Sequence, residues 1–131
     1  MSETIDNIIQ PTEEPPTRNI PEEVNLITIN DFTNIQLKVA QVIHAEKVPN
    51  TDKLLKLTVA VGNEERTLVA GIALSYLPEN LIGRYIIIVA NLKPAKLRGI
   101  TSQGMLLATK DENGLSLLTV DRPVAHGSSI G

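Results

Sequence analysis

Apolar and polar positions alternate most cleanly from Lys53 to Val61. Leu55, Leu57, Val59 and Val61 fall on one side, and Lys56, Thr58 and Ala60 on the other. A period of two is the signature of a half-buried strand. Before it, Leu37, Val39, Val42, Ile43 and Val48 form a β-prone run that stops at the turn cluster Pro49-Asn50-Thr51-Asp52. The alternation slips at Val42-Ile43, which predicts a bulge in a long, bent first strand. After it, Gly62-Asn63-Glu64-Glu65 reads as a hairpin loop and Arg66–Ala70 as the returning strand. Gly71 breaks the run. Ile72–Leu77 reads as one or two helical turns ended by Pro78. Tyr85–Ala90 is apolar without alternation, as a strand buried on both faces should be. Met105–Thr109 and Leu115–Val120 flank Asp111-Glu112-Asn113-Gly114, a strong hairpin turn. A final pairing is expected at Ile130, and Asn30 or Asp31 is expected to cap a short helical turn through Phe32.

Five or six short strands, a bent first strand and a small helix between the third and fourth predict an all-β fold. The architecture that suits this count is a five-stranded OB-fold Greek-key barrel. Its core must be aliphatic, because Phe32, Tyr76 and Tyr85 are the whole aromatic complement. Residues 1–25 differ in kind. They carry four prolines, six acids and one base, Arg18. Such a segment reads as a disordered tail or linker ahead of a domain at 26–131. A short docking segment around Ile5–Ile9 is the alternative.

Charge changes the picture more than composition does. The chain has a net charge of −3, yet from Leu26 onward it has eleven bases against nine acids. No acid occurs between Glu79 and Asp111, and Lys93, Lys96 and Arg98 fall in that window with Pro94, Gly99 and Gly104. A cationic segment between two buried strands is a candidate polyanion site. With no cysteine, disulfides, thiolate metal sites and a cysteine nucleophile are excluded. His44 and His126 lack metal-ligand spacing, and no catalytic triad, phosphate-binding loop or dinucleotide fingerprint occurs. No catalytic residue, metal or cofactor is expected. No apolar run reaches the ~18 residues that span a bilayer, and the start is polar and acidic, so a cytoplasmic protein is expected.

Several separated motifs then carry a resemblance: Asp31-Phe32, Leu37-Lys38-Val39, Asp52-Lys53-Leu54, Gly71-Ile72-Ala73, Asn91-Leu92-Lys93-Pro94 and Ser102-Gln103-Gly104-Met105. In this order, over residues 29–130, the chain resembles the structure-specific tRNA-binding OB-fold domain. That domain is known as a free-standing bacterial protein, as the C-terminal domain of methionine–tRNA ligases, and in eukaryotic synthetase-associated factors. The resemblance implies a non-catalytic homodimer that grips the outside of folded tRNA. A ligase catalytic domain would lie in cis or in trans. It also implies that Lys53, Asn91, Ser102 and Met105 face the tRNA and that Lys93, Lys96 and Arg98 line the same loop. In that arrangement cations contact phosphates, Ser102 and Asn91 donate hydrogen bonds, and Met105 gives an apolar contact to a base or sugar. Ala95 stands where relatives often carry a base, and the end lacks their terminal lysines. Both departures predict weaker binding. A chaperone-like, protein-binding OB-fold is the competing expectation. The scarcity of aromatics argues against the ring-stacking platforms that bind bare single strands.

Overall fold

The computed structural model describes residues 25–131. The proline-rich tail expected at 1–25, apart from Asn25, and the Ile5–Ile9 segment lie outside the described residues. The chain divides into a unit ending at Phe32 and a unit spanning Thr33–Gly131.

In the first unit, helix α1 (Ile29–Thr33) begins. Its cap is neither Asn30 nor Asp31 but Thr28. Thr28 Oγ1 accepts from the Asp31 N–H at 3.0 Å, and Asp31 Oδ2 accepts from the Thr28 N–H at 3.1 Å. Residues three apart satisfy each other's orphan donors, so the cap lies earlier than expected.

The second unit is mostly β. Strands β1 (Leu37–Lys47), β2 (Leu55–Val61), β3 (Glu64–Ala70), β4 (Tyr85–Val89) and β7 (Met105–Leu106) make one sheet in the order β3-β2-β1-β4-β7. It curls into the five-strand antiparallel half-barrel of an OB-type fold. The bend in β1 has the cause its sequence suggests. Val42 pairs with Val59 and His44 with Thr58, leaving Ile43 as the extra residue. Ala40 and Val42 point into the core before the bulge and Ala45 after it, so the alternation changes phase there. Leu55, Leu57, Val59 and Val61 all join that core, with Leu68, Ile72, Leu81, Ile86 and Ile88. On β4, Ile87 and Val89 are buried as well, which is why that run shows no alternation. The expected last pairing is present: β10 (Ser129–Ile130) sets Ile130 against Leu37 of β1.

Several elements are shorter or differently placed than their patterns suggest. Only Gly62 and Asn63 form the first hairpin loop. Val61 pairs with Glu64, and both glutamates belong to β3. Gly62, at φ 64°, takes the left-handed conformation that the tight turn needs. Between β3 and β4 the helix shrinks to one turn, in which the N–H groups of Ser75 and Tyr76 both donate to Ile72 O. Leu77 is extended (φ −82°, ψ 140°), as the residue before proline must be, and Pro78 opens a separate 3-10 turn, Pro78–Asn80, rather than ending a helix. The strand expected at Met105–Thr109 is two strands. Leu107 donates to Ile87 O and accepts from the Leu118 N–H, handing the chain from the β4 ladder to a second hairpin. That hairpin is β8 (Ala108–Asp111) with β9 (Gly114–Leu117), so the return ends before Val120.

Candidate nucleic-acid interface

The cationic segment after β4 folds on itself. Strands β5 (Ala95–Leu97) and β6 (Ile100–Ser102) form a small hairpin around Arg98-Gly99. Both turn residues have positive φ, 53° and 80°, the combination found in a type I′ turn. Three-residue strands leave too little alternation to detect, so this hairpin went unread in the sequence.

Its base is fixed by the Ser-Gln-Gly motif. Ser102 is buried at 4% exposure, its Oγ accepting from the Val69 N–H at 3.0 Å and donating to Gly104 O at 3.1 Å. Gln103 exchanges two bonds with Thr67: its N–H donates to Thr67 O (2.7 Å) and its Oε1 accepts from the Thr67 N–H (2.9 Å). The outer edge of β3 is thereby bonded to residues 102–103, bridging the gap the ladder leaves between β3 and β7. Gly104, at φ 147°, lies so close to the barrel that a Cβ would sit 3.1 Å from Val89 O. Arg66 adds a third tie. Its Nη1 donates to Ala90 O (2.6 Å) and Gln103 O (3.3 Å), while its Nε bonds Glu64 Oε1 at 3.0 Å. The Arg66 guanidinium beside it holds the Glu64 carboxyl below the usual carboxylate range, with a smaller push from Lys38.

Asn91 has a comparable position. Its Oδ1 accepts from the Gln36 N–H (2.9 Å) and its Nδ2 donates to Asn34 O (2.7 Å), so the side chain pins the end of β4 to the entry of β1. Asn91 and Ser102 thus both bond backbone groups of the fold, Ser102 from a buried position and Asn91 from an exposed one.

The cations fall into separate places. Lys53 and Arg98 share an open cleft of about 430 Å³ with Asn50, Thr51, Asp52 and Leu54. Asp52 is its one carboxylate. Asn50 (φ 64°) and Arg98 are the non-glycine residues with left-handed backbone among the described residues, and both line this cleft. Lys93 and Met105 lie instead on a separate, more apolar hollow. Lys96 pairs with Thr101 across the hairpin. Strand alternation puts it on the opposite face from Ala95 and Leu97, which line that hollow. A cation absent from the sequence reading, Lys47, lines a second open cleft of about 530 Å³ on the β1–β2 loop, together with Thr51, Asp52 and Leu74. Its place at the end of a long strand gave no motif to find it by. Among the described residues, no three His, Cys, Asp or Glu side chains are grouped to hold a metal, and no helix is long and apolar enough to cross a membrane.

A family model described as "Putative tRNA binding domain" matches residues 37–129. The chain belongs to the tRNA-binding-domain family. Among its relatives, the methionine–tRNA ligase of Thermotoga maritima is 54% identical over 111 residues, covering 85% of this chain and 18% of that enzyme. That of Methanococcus aeolicus is 53% identical over 109 residues, covering 83% and 16%. The chain thus spans under a fifth of the length of the ligases it matches. Among solved structures, a MetRS-related protein from Pyrococcus horikoshii superposes with a TM-score of 0.77 at 44% identity, over 82% of this chain and all of that one (100%). The CsaA chaperone protein of Picrophilus torridus gives 0.75 at 27% identity, over 81% and 100%. The family match covers β1 through the first residue of β10, and so takes in both the β1–β2 loop and the β5–β6 hairpin.

Proposed function

We propose that the unit Thr33–Gly131 is a non-catalytic module that binds folded tRNA through the cleft between the β1–β2 loop and the β5–β6 hairpin. One observation carries this: Lys53 and Arg98, far apart in sequence, line one cleft at which the backbone also holds two left-handed non-glycine residues. For a residue that is neither glycine nor asparagine, as at Arg98, the left-handed conformation costs about 1–2 kcal/mol, and such strain clusters at functional positions. At Arg98 a glycine would relieve it, whereas the arginine adds a guanidinium at the cleft.

Arg98 supplies a bidentate phosphate contact and Lys53 a point charge. Lys93, Lys96 and Lys47 extend the field on either side. The binding energy comes from counterion release and backbone shape, without base-specific hydrogen bonds. Asn91 and Ser102 act by holding the hairpin and β4 in place, and Met105 by an apolar contact. A homodimer doubles the cations offered to one RNA, which is the physical advantage of pairing in a unit whose charge is only weakly positive. We place the module in the cytoplasm, acting within or alongside a methionine–tRNA ligase.

The test is the equilibrium binding of a folded tRNA transcript across a salt series, beside the same transcript unfolded and an unstructured oligonucleotide. Folded tRNA should bind most tightly, with affinity falling linearly in log–log form as salt rises. Equal binding of the unfolded strands would remove the shape-recognition claim.

The likeness to the CsaA chaperone protein favours a second reading, a polypeptide-binding module. It predicts salt-insensitive binding of an unfolded protein and none of folded tRNA.

A further inference from the structure

Leu97 and Arg98 are neighbours in the chain, and the surface changes character between them. Arg98 belongs to the cationic cleft. Leu97 lines a hollow of about 200 Å³, with Val69, Leu92, Ala95, Met105 and the exposed Lys93 around it. Leu92, Leu97 and Met105 are 45%, 41% and 50% exposed, although each is a large apolar side chain. Scattered exposed apolar residues are ordinary, but a contiguous set around a concavity marks a binding surface. No carboxylate lines this one.

We propose that the hollow takes one unstacked nucleobase of the RNA whose phosphates occupy the Lys53–Arg98 cleft. The inference rests on the RNA-binding reading and specifies a subsite within it. Size is the first argument. Drug-sized ligands need roughly 300 Å³ or more, so this hollow suits a single ring system better than a run of side chains. Charge is the second. A base inserted here carries its own phosphate, and a cation, Lys93, stands on the hollow itself, while Arg98 of the cationic cleft is Leu97's neighbour in the chain. A neutral apolar ligand would leave Lys93 without a counter-charge. The third argument is what the walls can and cannot do. Met105 offers a flexible, polarizable thioether to a ring face. The Ser102 hydroxyl at the hollow is committed to Val69 and Gly104, which leaves Lys93 as the side-chain donor. The subsite grips a base by its faces and reads its edge hardly at all, so it tolerates any base that the RNA leaves unstacked.

The experiment compares wild type with the double variant Leu97→Ala/Met105→Ala and with Ala95→Leu, which fills the hollow instead of emptying its walls. All three positions are exposed, and circular dichroism melts establish that each variant folds. Two ligands are titrated across a salt series: a folded tRNA transcript, and heparin as a polyanion without bases. Both variants should bind the transcript about tenfold more weakly, the order of one lost base contact. The log–log salt slope should not change, because no phosphate contact is lost. Heparin affinity should stay at the wild-type value. Equal losses for heparin and tRNA would mean a displaced hairpin and would overturn the proposal, as would unchanged tRNA binding by both variants. If tRNA binding is unchanged while binding of a reduced, carboxymethylated unfolded protein is lost, the hollow is a polypeptide site. If wild type binds no tRNA, the cleft reading itself fails and the subsite falls with it, an outcome seen before any variant is compared.

Discussion

The Val69 backbone N–H donates to Ser102 Oγ at 3.0 Å, in a position 4% exposed to solvent. This bond joins the outer edge of β3 to the base of the cationic hairpin. Ser102→Ala leaves a buried donor unpaired, at a cost of about 1–3 kcal/mol. Its urea midpoint should fall while the m-value stays unchanged. RNA affinity should fall with hairpin order but the salt slope should not.

Arg98 can be discharged without disturbing its turn. Asparagine tolerates the left-handed region, so Arg98→Asn suits the backbone at φ 53° while removing the guanidinium and its charge. Together with Lys53→Ala it should lower the log–log salt slope of tRNA binding by about two, and each single change by about one. A slope identical to wild type in the double variant would take both residues out of the interface.

The C-terminal segment is fitted against the β2–β3 turn at backbone distance. A Cβ on Gly127 would lie 2.7 Å from both Cα and N of Gly62, and Gly127 has a φ of 92°. The same approach lets the Gly62 N–H donate to His126 Nδ1 at 3.0 Å. Gly127→Ala should lower stability by at least about 1–3 kcal/mol, the cost of the backbone strain to which the clash with Gly62 adds, seen as a reduced melting temperature. Ala at Gly71, where a Cβ meets nothing within 4 Å, is the control and should be nearly silent.

Glu64 gives a pH signature. Its folded-state pKa is lowered by the hydrogen bond and charge of Arg66. A depressed carboxylate pKa contributes stability that is present above the unfolded value and lost as pH falls through the folded one. Wild type and Glu64→Gln should therefore differ in melting temperature above pH ~5 and converge on further acidification. The carboxylate is solvent-exposed, so the difference should also shrink with added salt.

Strands were legible where side chains repeat long enough to show a period. Seven residues of β2 alternate without error, and the slip at Val42-Ile43 marks a true bulge. The β5–β6 hairpin was hidden because three-residue strands have no measurable period and because Arg98, unlike glycine or asparagine, gives no turn signal. Residue type also concealed role. Serine and asparagine are surface residues by habit, yet Ser102 bonds a vacant backbone group on the outer edge of β3 and Asn91 ties the end of β4 to the entry of β1, vacancies that exist only in the folded sheet. Lys53 and Arg98 were individually visible as cations beside turns. What brings them to one cleft is the curl of the sheet, which no local pattern encodes.

The extra residue at Ile43 gives β1 two phases, with Ala40 and Val42 inward before it and Ala45 inward after it. Each residue added to a strand turns the next side chain through half a rotation. Were Ile43 instead paired regularly opposite Thr58, with no bulge, His44 and Glu46 would be driven toward the aliphatic interior, or else the departing β1–β2 loop would swing to the other side of the sheet. The side on which Lys53 emerges is therefore decided well upstream of it, by an apolar residue with no charge to offer. The bulge at Ile43 thus sets the phase in which β1 enters the loop that carries Lys53.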